Sequence, residues 1–263
     1  MTKQITLLLI GILLYSTAAL AKPCVVLLHG LTRSSSSMDE IEKKLSAAGY
    51  YVANIDYPST QHPITELAEI AVNEGLYRCK TQGASPLHFV THSLGGILVR
   101  QYYNNHSPDN LKRVVMLGPP NQGSEVVDKL KNVPGFELLN GPAGMQLGTH
   151  AFDTPKNLGP VNFELGVIAG TRSINLLLSG FLPNTDDGKV SVQGTKVEGM
   201  CGFIAMAVNH PFMMKDDEVI GEVSHFLNHG KFHHKKAIVN PVNSDPAVQG
   251  FCTKLAAIKA SNT

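Results

Sequence analysis

Residues 87–104 read Leu-His-Phe-Val-Thr-His-Ser-Leu-Gly-Gly-Ile-Leu-Val-Arg-Gln-Tyr-Tyr-Asn. Two regimes meet inside this stretch. Leu87 to Thr91 reads as a short buried strand, and Leu94 to Asn104 carries the spacing of a helix. Between them the chain must turn sharply through Thr91-His92-Ser93-Leu94-Gly95, and such a turn pushes the Ser93 hydroxyl into the open. Small residues relieve the crowding there: Gly95 fits, and Gly96 lets the helix approach the sheet. A serine at this place can also be a plain helix cap. Its setting between a buried strand and a helix favours a reactive role.

Working outward, the same alternation repeats. Cys24 to His29 is a continuous apolar run, as expected of a strand covered on both faces. Asp39 to Ala48 has helical spacing and is stopped by Gly49. Tyr51 to Tyr57 reads as a strand cut off by Pro58, and Pro63 to Cys79 as a helix with proline in its first turn. Downstream come a strand at Arg113 to Leu117, strands at Glu164 to Ala169 and Phe203 to Val208, and a final helix at Asp216 to Asn228. This order predicts an α/β architecture: a mostly parallel central sheet with helices on both faces. Residues 119–160 break the rhythm with a helix-like SEVVDKLKN and many Gly and Pro. A segment that long suggests a lid or a binding loop, its Phe136, Leu138, Leu139, Met145 and Leu147 being either pocket lining or ordinary core. From Lys231 the chain reads as a polar tail, and Ser34 to Ser37 as a flexible loop.

The chain has 263 residues, 43% hydrophobic and 16% charged, which suits one domain with a large core and excludes a largely disordered chain. Lys and Arg number 22 against 21 Asp and Glu, so the basic excess of a nucleic-acid binder is missing. Residues 1–21 have a positive start at Lys3, an apolar run from Ile5 to Leu14 and the small-x-small end Ala19-Leu20-Ala21. That is the pattern of a secretory signal peptide, leaving residues 22–263 as a single exported domain, periplasmic or secreted. Export makes two disulfides the reading of Cys24, Cys79, Cys201 and Cys252. Sequence does not choose among the three pairings; Cys24–Cys79 and Cys201–Cys252 is the expectation, the first tying the first strand to the second helix, the second pinning the tail.

A serine nucleophile needs a base, and the base an orienting acid. His210, after the last strand, would sit at the same sheet edge as Ser93. The acid should follow the preceding strand, where Asp186 and Asp187 stand side by side; Glu125, Asp128 and Asp153 lie before that strand. An acyl transfer also needs N–H groups aimed at the developing oxyanion. Leu94, next to the nucleophile, and Leu31, after His29-Gly30, are the candidates. His225 and His229, four apart, with His233 and His234 beyond, have the spacing of a metal pair, but no H-E-x-x-H accompanies them and a solvated helix end explains them better.

These pieces resemble the bacterial secreted lipases and esterases of the α/β-hydrolase superfamily. The matching segments are VVLLHGLTRSSSSM, HFVTHSLGGILVRQY, MLGPPNQGSEVVD, NTDDGKVSV and VNHPFMM, in family order across most of residues 24–230. Thr91 departs from the first glycine of the G-x-S-x-G elbow. The resemblance implies a compact version of the fold lacking the first strands. It also implies hydrolysis of carboxylic esters through an acyl-enzyme on Ser93, Asp187 and His210, with Asp187 favoured over Asp186 and Leu31 supported as an oxyanion donor. It implies no cofactor, and the carboxylates for the structural calcium of some relatives are not found. An ester or lipid substrate, a transient contact with a lipid surface and no obligate protein partner follow from it. Thioesterase, amidase or acyltransferase chemistry on the same residues is the rival, and a non-catalytic exported binding protein the more distant one.

Overall fold

The computed structural model describes residues 21–183, 185–233 and Cys252. Six strands form one sheet in the order β2-β1-β3-β4-β5-β6, and every pairing is parallel. They are β1 (Cys24–Leu28), β2 (Tyr51–Ile55), β3 (Leu87–His92), β4 (Leu111–Leu117), β5 (Leu165–Gly170) and β6 (Gly202–Met206). The helices are α1 (Asp39–Ala47), α2 (Ile64–Thr81), α3 (Leu94–Asn105), α4 (Glu125–Leu130), α5 (Phe136–Met145), α6 (Thr154–Asn157), α7 (Leu176–Ser179) and α8 (Asp217–His229).

The unbroken apolar runs exist because the sheet is covered twice. Side chains alternate across a strand, so Val26 and Leu28 of β1 join Ile64, Leu67 and Val72 of α2 and Ile97 and Leu98 of α3. Val25 and Leu27 point the other way, among Ile41 and Leu45 of α1 and Val219, Val223 and Phe226 of α8. All five β1 side chains are buried, and each of the four Val and Leu side chains contributes about 1.5–3 kcal/mol by leaving water. A parallel sheet also brings every strand's C-terminal end to one edge. Leu31, Ser93, Gly118 and His210 follow β1, β3, β4 and β6, so topology gathers them before any side chain is considered.

The cysteines pair as Cys24–Cys79 and Cys201–Cys252, with Cα atoms 5.8 and 5.7 Å apart. Three expectations need correction. Ser35–Met38 is a turn of 3-10 helix rather than a flexible loop, because Met38 drops into the core beneath it. The segment after α8 does not begin as a purely polar tail: Phe232 is buried, its ring 4.8 Å from that of Phe226. In residues 119–160, Leu138 and Leu139 point to solvent, at 88% and 70% exposure, since α5 is too short and too kinked at Gly141 to bury more than one face. Residues 1–20 of the expected signal peptide (1–21), His234 and nearly all of the tail beyond it lie outside the described residues. Among the described residues, no helix is long and apolar enough to cross a membrane.

Candidate active site

Ser93 has φ 52° and ψ −118°, a conformation that non-glycine residues adopt at a cost of about 1–3 kcal/mol. Its surroundings hold it there. The Ser93 N–H donates to Leu117 O of β4 at 2.9 Å, and its carbonyl accepts from the Gly96 N–H at 3.0 Å. Gly95 crosses so close under β1 that a Cβ would stand 2.6 Å from Leu28 O and 2.9 Å from His29 O. The glycine of the elbow is thus required by strand–helix contact. Thr91, in place of the motif's first glycine, is fully buried inside β3 and leaves the turn as sharp as the motif demands.

His210 follows β6, and its Nδ1 lies 2.7 Å from Asp187 Oδ2. The pair is joined a second time, by the His210 N–H donating to the Asp187 carbonyl at 2.9 Å. Asp187 is fully buried, and its other carboxylate oxygen accepts from the N–H groups of Lys189 (3.0 Å) and Val190 (2.8 Å). These bonds fix the carboxylate, which in turn fixes the imidazole with its proton on Nδ1 and its lone pair on Nε2. Asp186 faces elsewhere. Its Oδ1 accepts from Ser179 Oγ at 2.6 Å and the Gly188 N–H at 2.7 Å, anchoring α7 and the turn.

Ser93, Asp187, His210 and Leu31 line one cavity of about 270 Å³, with Phe136, Leu147, Ile174 and Leu178 as apolar walls. Phe136 and Leu147 of the expected pocket residues are therefore in place; Met145 is not on the wall. The Leu31 N–H has no acceptor among the described residues, and Leu94 is the first residue of α3, whose N–H has no intrahelical acceptor.

Two neighbours escaped sequence reading. His92 is buried; its Nε2–H donates to His210 O at 3.0 Å, and its Nδ1 has no partner. Burial first, and the nearby His210 second, hold its pKa well below 6.5. His29, also buried, is pulled down by desolvation. The dipeptide His29-Gly30 was the visible signal. On α8, the rings of His225 and His229 lie 4.4 Å apart and those of His225 and His233 5.1 Å apart; among the described residues, no three ligating groups are arranged to hold a metal ion.

The sheet, the crossovers and this edge define an α/β-hydrolase fold. The sequence model of the palmitoyl protein thioesterase family matches residues 24–153, from β1 to the residue before α6. Among solved structures, a Bacillus licheniformis lipase in its mature form superimposes with a TM-score of 0.63 at 19% identity, over 79% of this chain and 91% of its own. A metagenomic carboxyl esterase gives 0.59 at 14% identity, over 93% of this chain and 77% of its own. At such identities the likeness is one of fold. No curated protein sequence matches the chain.

Proposed function

We propose that the protein is an exported serine hydrolase that cleaves carboxylic esters, as a lipase or carboxylesterase, through an acyl-enzyme. The observation that carries this is the strained Ser93 sharing one cavity with the hydrogen-bonded His210–Asp187 pair. Ser93 Oγ attacks the ester carbonyl while His210 Nε2 takes its proton. The N–H groups of Leu31 and Leu94 receive the oxyanion, and His210 returns the proton to the leaving alcohol. Water then repeats the sequence and frees the acid. Asp187 orients the imidazole and stabilises the imidazolium that forms. The apolar walls from Phe136, Leu147 and Leu178 suit an acyl chain.

Thioester hydrolysis is the second reading, favoured by the match to the palmitoyl protein thioesterase family over residues 24–153. The segments that wall the cavity also present bare apolar side chains beside it: Leu138 and Leu139 on α5, and Leu176 and Leu177 on α7, the last two at 81% and 83% exposure. This rim supports a transient contact with a lipid surface. The two disulfides fit an oxidising, exported setting.

The test is turnover of a p-nitrophenyl ester series from short to long acyl chains, beside matched acyl thioesters, with Ser93→Ala as the control. Hydrolysis by the wild type and its loss in the variant support the triad, and the preferred leaving atom separates esterase from thioesterase. Equal rates in both proteins would refute it.

A further inference from the structure

A trans peptide is planar, with its C=O and N–H pointing in opposite directions. Whatever holds Gly30 O therefore aims the N–H of Leu31, the next residue. His29 Nδ1 lies 2.9 Å from Gly30 O, which the Arg33 N–H also reaches at the longer distance of 3.3 Å. A carbonyl can only accept, so Nδ1 carries the proton. Across the ring, Nε2 is 3.3 Å from the Tyr57 backbone N, which can only donate, so Nε2 carries the lone pair. Both contacts demand the same neutral tautomer. An imidazolium would set N–H against N–H at Tyr57, and burial disfavours its charge although the exposed Asp56 carboxylate lies 3.7 Å from Nε2.

The ring is clamped as well as bonded. It stacks on Tyr57, with centroids 4.0 Å apart and planes 10° from parallel, and Tyr57 OH donates back to His29 O. On the far side of Leu31, the Thr32 N–H donates to Ser59 Oγ at 3.1 Å. His29 and Thr32, flanking the Gly30–Leu31 pair, are thus tied to the loop after β2, while the Leu31 N–H has no acceptor among the described residues and Leu31 lines the cavity.

We propose that His29 is a positioning residue of the oxyanion hole: held as the neutral Nδ1–H tautomer between Tyr57 and Gly30, it fixes the Gly30–Leu31 peptide so that the Leu31 N–H meets the developing negative oxygen. This rests on the reading of Ser93 as nucleophile. His29 touches no substrate; it acts through the peptide.

His29→Phe keeps the stacked ring and removes both hydrogen bonds, whereas His29→Asn restores a donor near the Nδ1 position. With the disulfides intact, His29→Phe lowers kcat about 10- to 100-fold while KM moves less than about threefold, because aim at the transition state is lost and ground-state binding is not. His29→Asn recovers most of that loss. Wild-type kcat in His29→Phe, or a defect in KM alone, overturns the inference. A second measurement does not depend on turnover or on the variant folding. Nitrogen-15 NMR of the wild-type imidazoles finds His29 neutral with the proton on Nδ1; a proton on Nε2, or an imidazolium at neutral pH, overturns the inference. Failure of the wild type on every ester and thioester would instead sink the Ser93 reading, with the tautomer still deciding whether the peptide is held as described.

Discussion

Gly118 stands so close to Asp187 that a Cβ on it would lie 2.9 Å from the carboxylate Oδ2, and 3.0 Å from His210 Nδ1. The His210–Asp187 hydrogen bond runs directly past the end of β4, and only a residue without a side chain leaves room for it. Gly118 also has φ +53°, which an L side chain adopts at a cost. Gly118→Ala is therefore expected to push the pair apart and lower kcat about 10- to 100-fold, since small displacements of a catalytic group are that expensive. Steady-state kinetics on a soluble ester check it.

The two neighbouring aspartates should separate cleanly. Asp187→Asn removes the charge that orients His210 and stabilises its protonated form, and kcat/KM should fall by about 10,000-fold. Asp186→Asn weakens the anchors to Ser179 and the Gly188 N–H, so it should lower the melting temperature by a few degrees, as a loss of about 1 kcal/mol does. Activity measured below the transition should stay within about tenfold of wild type. Kinetics and thermal melts of both variants decide this.

Acid should destabilise the fold through its buried histidines. His29 and His92 both have folded pKa values below 6.5, chiefly through burial. As pH falls through about 6.5, the unfolded chain takes up protons that the folded chain refuses. Their contribution to stability is full above that pH and is lost as pH falls toward the folded values. Each can cost up to about 1.4 kcal/mol per pH unit over that window. Urea melts across the range should show this slope, and His92→Gln should make it shallower.

Leu176 and Leu177 are exposed on α7, immediately preceding Leu178, which walls the cavity. Replacing both by serine removes apolar area that would enter a lipid surface, worth about 1 kcal/mol per side chain if partly buried. Hydrolysis of an ester embedded in vesicles should drop about 10-fold or more, and vesicle co-sedimentation should weaken. Turnover of a soluble short-chain ester should hold within about twofold, because surface substitutions of this kind barely alter the fold.

Much of this protein was legible because burial on both faces writes strands as unbroken apolar runs. Cys24–Leu28 and Leu87–His92 are such runs, and Gly95 marks the elbow between β3 and α3. The edge that gathers Ser93 and His210 follows from parallel order alone. Asp187 was harder to read: beside Asp186 it has the same chemistry and nearly the same place in the chain, so position left the two level, the resemblance favoured Asp187, and the directions of the two carboxylates separate them. His92 and Gly118 were silent because their roles are contacts between loops far apart in sequence, one with the carbonyl of His210 and the other with the Asp187 carboxylate. The exposure of Leu138 and Leu139 was hidden for a different reason. An apolar residue in a Gly- and Pro-rich segment carries no periodicity to say which way it faces.

The proposed role of Ser93 is that of a nucleophile activated by His210. It is tested most directly by treating the folded protein with a fluorophosphonate and mapping the adduct by mass spectrometry. One adduct is expected, on Ser93, formed far more slowly in His210→Ala. A folded protein that takes no label, or takes it on another residue at the same rate in Ser93→Ala, would contradict it.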